Sequence, residues 1–370
     1  MRVVVTGQVG LDKTEFLQHV VQLAEERGEK PALFNIGLLM YAEAPDVAPG
    51  RILDLPLSRL HSLRRSVFKD VLTASARCPH TIINTHATFR WRHGLFPAFD
   101  FDQMQAFDAD LYVTLLDNVD RVQRRLVRDG HVHHTLKDLM VWREEEMLAT
   151  ELMSQVVGGH GRFYVWARGR DSDTAAALVR LMFQPRYRKM YLSFPMTHLP
   201  ASSQLLPEVE SFRREMKNHF TCFDPADVEE KELCALALQA AQEGLRSLDV
   251  GPPGQRVTVQ TDQLMDIMTD IDGQIYARDF KLIDQADMIC SLIPADPDGR
   301  PVLSSGVERE LQHAHEATRE VFVIWRSPAT PSPFITETAT AVFSSAAQAV
   351  QYFLDHDYIP RPPAGSLFPD

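Results

Sequence analysis

Solid apolar runs alternate with segments whose apolar residues recur every three or four positions, and the alternation repeats along most of the chain. Val3-Val4-Val5 has no polar interruption, as a strand covered on both faces of a parallel sheet requires. The spacing of Phe16, Val20, Val21 and Ala24 then predicts a helix over Lys13–Arg27. Further strands are expected at Ala32–Ile36, Thr81–Asn84, Leu111–Leu115 and Phe163–Trp166, with helices over Leu57–Ala76, Val119–Arg128 and Thr174–Phe183. After the polar, basic stretch Gln184–Lys189 the pattern restarts as an apolar strand, Met190–Pro195. Helices near Leu205–Asn218 and Glu230–Leu245, a strand into Cys222–Pro225, and strands at Ile289–Ile293 and Val321–Trp325 follow. Asp249-Val-Gly-Pro-Pro-Gly-Gln255 reads as a loop, and Pro360-Arg-Pro-Pro-Ala-Gly365 as an extended tail. The expected fold class is α/β, with two doubly wound parallel-sheet domains over residues 1–184 and 185–370.

A length of 370 residues is long for one domain and comfortable for two. The net charge of −12 argues against a surface built for a nucleic-acid polymer, which needs clustered Lys and Arg, but not against holding one nucleotide locally. Cys78, Cys222, Cys234 and Cys290 lack metal-ligand spacing and read as reduced thiols. No run of roughly 18 apolar residues is present, so no membrane span is expected, and a cytoplasmic location is the expectation.

Two places carry candidate chemistry. Gly7-Gln-Val-Gly-Leu-Asp-Lys-Thr14 follows the first strand and opens a helix. A phosphate cradle needs glycines so that backbone N–H groups can face the phosphate, a Lys for charge and a Ser or Thr for Mg²⁺. Gly7, Gly10, Lys13 and Thr14 meet that description, while Asp12 puts a negative charge where a glycine is expected. The second place joins Asp279, expected at the start of a helix, to Glu310 in Ser304-Ser-Gly-Val-Glu-Arg-Glu310. Two carboxylates at the carboxyl edge of a parallel sheet suit cleavage of a glycosidic bond, one acting at C1′ and the other on the base. Taken singly, Asp279 would be a helix cap and Glu310 a solvated helix residue; their order and strand placement point to a pair. Asp287 reads as structural.

Phe34–Met40, Ile83-Asn-Thr-His-Ala-Thr-Phe89, Gly94–Phe99, Asp110–Leu116, Arg121–Arg128 and Trp142-Arg-Glu-Glu-Glu146 continue in one order after the glycine loop. This series resembles the archaeal-type adenylate kinases over roughly residues 1–183. The resemblance implies ATP and Mg²⁺ as cofactors, with Lys13 on phosphates and Thr14 on the metal. It puts Asn84 and His86 on the acceptor side, and Arg121, Arg124, Arg125 and Arg128 among the groups that neutralise transferring phosphate. The Arg helix could equally be a solvated face, and His86 a hydrogen-bonded sheet-edge residue. His131, His133 and His134 read as a lid-like loop rather than a metal site.

In the second half, Tyr191-Leu-Ser-Phe-Pro195, Arg278-Asp279 and Ser304–Glu310 resemble the nucleoside 2-deoxyribosyltransferase superfamily over about residues 188–355. Ser-x-Gly-Val-x-x-Glu is similar to its branch of 2′-deoxynucleoside 5′-monophosphate N-glycosidases. The resemblance implies Glu310 as nucleophile, Asp279 as general acid/base, Tyr191 orienting the glutamate, and Ser193, Ser304, Ser305 and Gly306 toward a phosphorylated substrate. It implies no cofactor there, nucleotides as ligands, and a homo-oligomer. The leading expectation is an N-glycosidase or deoxyribosyltransferase fused to a kinase-like domain. A nucleotide kinase whose second half only binds, and a nucleotide-sensing regulatory protein, stand as alternatives.

Overall fold

The apolar run at the amino terminus becomes β1 (Arg2–Thr6), with Val3, Val4 and Val5 almost wholly buried. The computed structural model of the chain describes residues 1–91, 94–131, 134–169, 173–196 and 204–360. These pack as two compact units, Met1–Phe183 with Asp227–Gln274, and Gln184–Ala226 with Ile275 onward. The chain therefore leaves the second unit after Ala226 and returns at Ile275, where a boundary at 184/185 alone had been expected.

In the first unit β1 leads into α1 (Lys13–Glu25), then β2 (Ala32–Asn35), α2 (Ile36–Glu43), α3 (Leu57–Ser75) and β3 (Thr81–Asn84). A short antiparallel pair, β4 (Thr88–Trp91) and β5 (Gly94–Pro97), precedes α4 (Phe101–Phe107). Next come β6 (Leu111–Leu116), α5 (Val119–Arg128), α6 (Leu136–Gly158), β7 (Phe163–Ala167) and α7 (Asp173–Phe183). Among the described residues the main sheet has five parallel strands in the order β2-β3-β1-β6-β7. The strand expected to reach Ile36 stops at Asn35, whose side chain accepts from Leu38 N and caps α2.

The second unit begins with β8 (Lys189–Ser193), α8 (Leu206–His219) and β9 (Thr221–Phe223). The excursion carries α9 (Lys231–Gln242) and a hairpin of β10 (Ser247–Val250) and β11 (Val257–Gln260), so the expected loop loses Asp249 and Val250 to a strand. Then α10 (Thr261–Asp284) runs on across the unit boundary into β12 (Met288–Ile293) and α11 (Ser305–Glu316). The chain continues through β13 (Glu320–Trp325), α12 (Pro333–Thr336), β14 (Ala341–Phe343) and α13 (Ala346–Asp355). The second sheet is also parallel, in the order β14-β13-β12-β8-β9.

Alternation along the strands sorts this sheet into two faces. Met190, Leu192, Cys290, Leu292, Phe322 and Ile324 turn to one side and pack on Phe212 and Met216 of α8 and Phe353 of α13. Tyr191, Ser193 and Ser291 are left on the other. The expectation that Asp279 opens a helix is corrected: α10 starts at Thr261, carried by buried Leu264, Ile267 and Ile271, so Asp279 lies in its closing turns. Among the described residues no helix is long and apolar enough to cross a membrane.

The excursion is fastened to the first unit by a buried ion pair. Arg143 of α6 reaches Glu230 through Nη1 to Oε1 at 2.9 Å and Nη2 to Oε2 at 3.1 Å. Val119 N, the first amide of α5, also donates to Glu230 Oε1 at 2.7 Å, a favourable end for a carboxylate. Removing one partner of such a pair strands the other charge out of water, at a cost of about 3–5 kcal/mol. Glu230→Ala should lose about that much in urea unfolding and deprotect α9 in hydrogen exchange. A loss below about 1 kcal/mol would show that the pair does not fasten the segment.

Candidate active site

The order β9-β8-β12-β13-β14 reverses direction between β8 and β12, and ligands of open α/β sheets bind beyond the carboxyl ends of the strands at such a point. Tyr191 and Ser193 end β8, two residues apart and therefore on one face. Ser291 stands opposite Ser193 in the β8–β12 register. Beyond β12 a loop closed by the Ala295–Pro301 bridge returns the chain to Ser304, which caps α11 by accepting from Val307 N at 3.2 Å. One turn further on, Glu310 comes back over the strand ends. Tyr191 Oη donates to Glu310 Oε1 at 2.9 Å and Ser193 Oγ donates to Oε2 at 2.6 Å. Ser291 Oγ supports Ser193 Oγ at 3.2 Å.

Both oxygens of Glu310 face hydroxyl donors, which favours its ionised form. Burial opposes that charge, and Asp279 adds to the opposition. The two hydroxyl donors recover part of it, leaving the carboxyl raised to about 8. Burial likewise pushes the Tyr191 hydroxyl well above its usual range, with Asp279 and Glu310 acting the same way and Arg278 against them. Tyr191 therefore stays a donor. Asp279 is nearly buried, its Oδ1 lying 3.5 Å from Arg278 Nε. The structure thus brings Glu310, Tyr191, Ser193 and Asp279 together, and Ser193 spends its hydroxyl on Glu310.

Ser304 is largely buried, whereas Ser305 and Gly306 are exposed on the first turn of α11. Nothing in the fold demands glycine at 306. Its backbone is helical, and an added Cβ would meet only Ser304 Oγ, at an ordinary 3.6 Å.

The first unit has its own reversal between β1 and β3, and the glycine loop lies there. Gly10 has φ +85° and a Cβ would come 2.8 Å from Leu126 Cγ, so glycine is needed by the fold itself. The side chains expected to face phosphate are engaged with the protein. Lys13 Nζ donates to Gly7 O and Gln8 O, and burial lowers it to about 8 despite Glu146. Thr14 Oγ1 accepts from the amides of both Asn35 and Asn84, which takes up its lone pairs. Asp12 adopts φ 49°, ψ 43° and faces Arg128 at 3.1 Å and Arg125 at 3.7 Å. Arg121 and Arg125 pair with Asp117, and Arg124 with Asp120. This arrangement does not fit Mg²⁺ and a triphosphate: the hydroxyl that would meet the metal is taken, and a carboxylate stands beside the loop.

Glu146 was not singled out from the sequence. It is 0% exposed and accepts from Gly7 N at 3.0 Å, Ala87 N at 2.8 Å, and Thr88 N and Oγ1 at 2.8 and 2.7 Å. Burial works against its charge, but His86, Lys13 and Thr88 outweigh it and hold the carboxyl at about 2. The available signal was its helical spacing from Leu139, Trp142 and Arg143, all on the buried face of α6. His86 stands 3.4 Å from Lys13 Nζ, and burial with that charge pushes it down to about 4. Among the described residues no group of His, Cys, Asp or Glu could hold a metal ion; His133 lies outside them.

No protein-family model matches the chain. It is similar to a 2-deoxyribosyltransferase from the psychrotolerant bacterium Bacillus psychrosaccharolyticus, at 16% identity and TM-score 0.28, covering 46% of this chain and 96% of that one. It is also similar to a gluconokinase from Sinorhizobium meliloti 1021, at 15% identity and TM-score 0.31, covering 50% of this chain and 97% of that one. A siderophore periplasmic binding protein from the fuscachelin gene cluster of Thermobifida fusca matches at 12% identity and TM-score 0.19, over 96% and 94% of the two chains. Likenesses this weak bear on neither activity nor ligand.

Two expectations follow from the geometry. Between its unfolded value of 4.5 and its folded value of about 8, Glu310 keeps a proton that the unfolded chain has released. Stability therefore falls as pH rises through that window, by at most about 1.4 kcal/mol per pH unit. Glu310→Gln should flatten the fall in urea midpoints taken across the window; parallel slopes in both proteins would contradict the burial argument. Asp12→Gly should keep stability within about 1 kcal/mol, since exposed ion pairs contribute little and glycine suits the left-handed backbone. ATP binding, followed by calorimetry, should tighten in that variant. No change would mean that Asp12 does not obstruct the loop.

Proposed function

We propose that the carboxyl-terminal unit cleaves the N-glycosidic bond of a (deoxy)nucleoside 5′-monophosphate. The observation that carries this reading is the Glu310 carboxylate held by Tyr191 and Ser193 at the strand reversal, with Asp279 close enough to act on its charge. Glu310 attacks C1′ of the sugar as the C1′–N bond breaks. The bond's electron pair leaves with the base, and Asp279 gives the base a proton. Water, or a second base, then attacks C1′, gives its proton to Asp279 and releases Glu310. The hydroxyl donors fix which way the carboxylate faces, and Tyr191 cannot compete as an anion. Exposed Ser305 and Gly306 on the first turn of α11 offer backbone N–H groups and the positive end of a helix to a 5′-phosphate.

For the first unit the reading favoured is a P-loop-type element that does not turn over ATP, because Lys13, Thr14 and Arg125 are engaged by groups of the protein. Regulation of the second unit by a nucleotide is the role left to it. A homo-oligomer and a cytoplasmic location belong to the same proposal.

A panel of nucleoside and deoxynucleoside 5′-monophosphates, incubated without ATP and followed by chromatography, tests this directly. Free base should appear and should fall by at least about 1000-fold in Glu310→Ala, with the fold retained by circular dichroism. Because Glu310 must be ionised to attack, kcat/KM should climb as pH rises toward about 8. Base release that survives in Glu310→Ala would remove Glu310 from the mechanism.

A further inference from the structure

Arg143 and Arg278 are both buried arginines, and they differ in one respect. Arg143 is saturated by the two-pronged contact with Glu230 described above. Arg278 is 6% exposed, and its Nε and Nη2 are fully enclosed without a hydrogen-bond acceptor among the described residues. Its approach to Asp279, 3.5 Å from Nε to Oδ1, is an ion-pair distance. A guanidinium cannot shed its proton, so dry N–H groups left unmade are a standing cost to the fold. Arg64 Nε shares that state in the first unit, but two such nitrogens on one guanidinium, beside the Glu310–Asp279 pair, single out Arg278.

The surroundings say which part of the ligand. Arg278 adjoins Asp279 in sequence and space, and its charge acts on the Tyr191 hydroxyl that holds Glu310. It therefore belongs to the carboxylate pair and not to the exposed turn at Ser305 and Gly306. A phosphate beside Arg278 would bring a third negative group against Glu310 and Asp279. A neutral base with a carbonyl oxygen would not.

Resting on the glycosidic reading above, we infer that Arg278 donates to an exocyclic carbonyl oxygen of the departing base, and that the site selects oxo-bases over adenine. As C1′–N breaks, the electron pair passes into the base ring and onto that oxygen. The guanidinium N–H groups, already desolvated and fixed, meet the charge where it develops. Arg278 transfers no proton; that still comes from Asp279. Adenine has an amine at the corresponding position and can offer no such acceptor.

The test compares wild type, Arg278→Met and Arg278→Lys on hypoxanthine and adenine nucleoside monophosphates, alongside calorimetric binding of free hypoxanthine and free adenine. For Arg278→Met, kcat/KM on the hypoxanthine substrate should fall about 100-fold, the usual effect of losing one such donor, with adenine changed less than about threefold. Arg278→Lys should restore part of the loss, and the urea midpoint of Arg278→Met should fall, because Asp279 loses its ion-pair partner. Equal losses on both bases, no loss on either, or an unfolded Arg278→Met beside a fully active Arg278→Lys would each overturn the assignment. If wild type releases no base, the glycosidic reading fails separately. Free-base binding then decides Arg278: weaker hypoxanthine but unchanged adenine in Arg278→Met upholds the oxygen contact, and equal binding ends it.

Discussion

The second unit is organised around one carboxyl group, Glu310, held between two hydroxyl donors with its ionisation raised to about 8. Burial alone would neutralise it. The hydroxyls of Tyr191 and Ser193, delivered by a buried strand, give each oxygen a donor already in place. That arrangement needs the strand reversal, since only there can the end of β8 and the helix after β12 converge. It also needs the opposite face of the sheet to be dry and rigid, which the packing of Phe212, Phe322 and Phe353 supplies.

In the first unit similar parts reach a different result. The glycine loop carries a Lys and a Thr as a phosphate site would, yet both side chains already have partners in the protein. Glu146 ties the loop's Gly7 amide to the amides after β3, so a buried anion organises this strand edge from within. The balance of such a site rests on one position. A carboxylate at Asp12 draws Arg125 and Arg128 to itself instead of leaving them to an external anion.

Much of the fold could be read from the residues. The helix over Val119–Arg128 and the strand over Thr81–Asn84 appear with the bounds that periodicity predicted, because both are short and strongly patterned. Tyr191 and Ser193, two residues apart, share a strand face, and Glu310 follows the capping Ser304 on α11. The start of α10 was misjudged because Asp279 follows an exposed aromatic, Tyr276, and mimics a cap, while the helix is held upstream by Leu264, Ile267 and Ile271. Glu146 and Arg278 show no sign of their surroundings in the sequence for a related reason. A charged residue on a polar-looking segment gives no local sign that it will be buried.

The sequence by itself determined the alternation of strands and helices, the parallel sheets this implies, and the chemical types gathered at two strand reversals. Those follow from repeats of two and of about 3.6 residues, which involve only near neighbours. Tertiary structure alone decided that Asp227–Gln274 joins the first unit, that Ser193 and Ser291 back Glu310, and that Arg143 is saturated while Arg278 is not. Each of these is a pairing between residues far apart in the chain. Its outcome depends on which groups are desolvated together, and no local pattern encodes that.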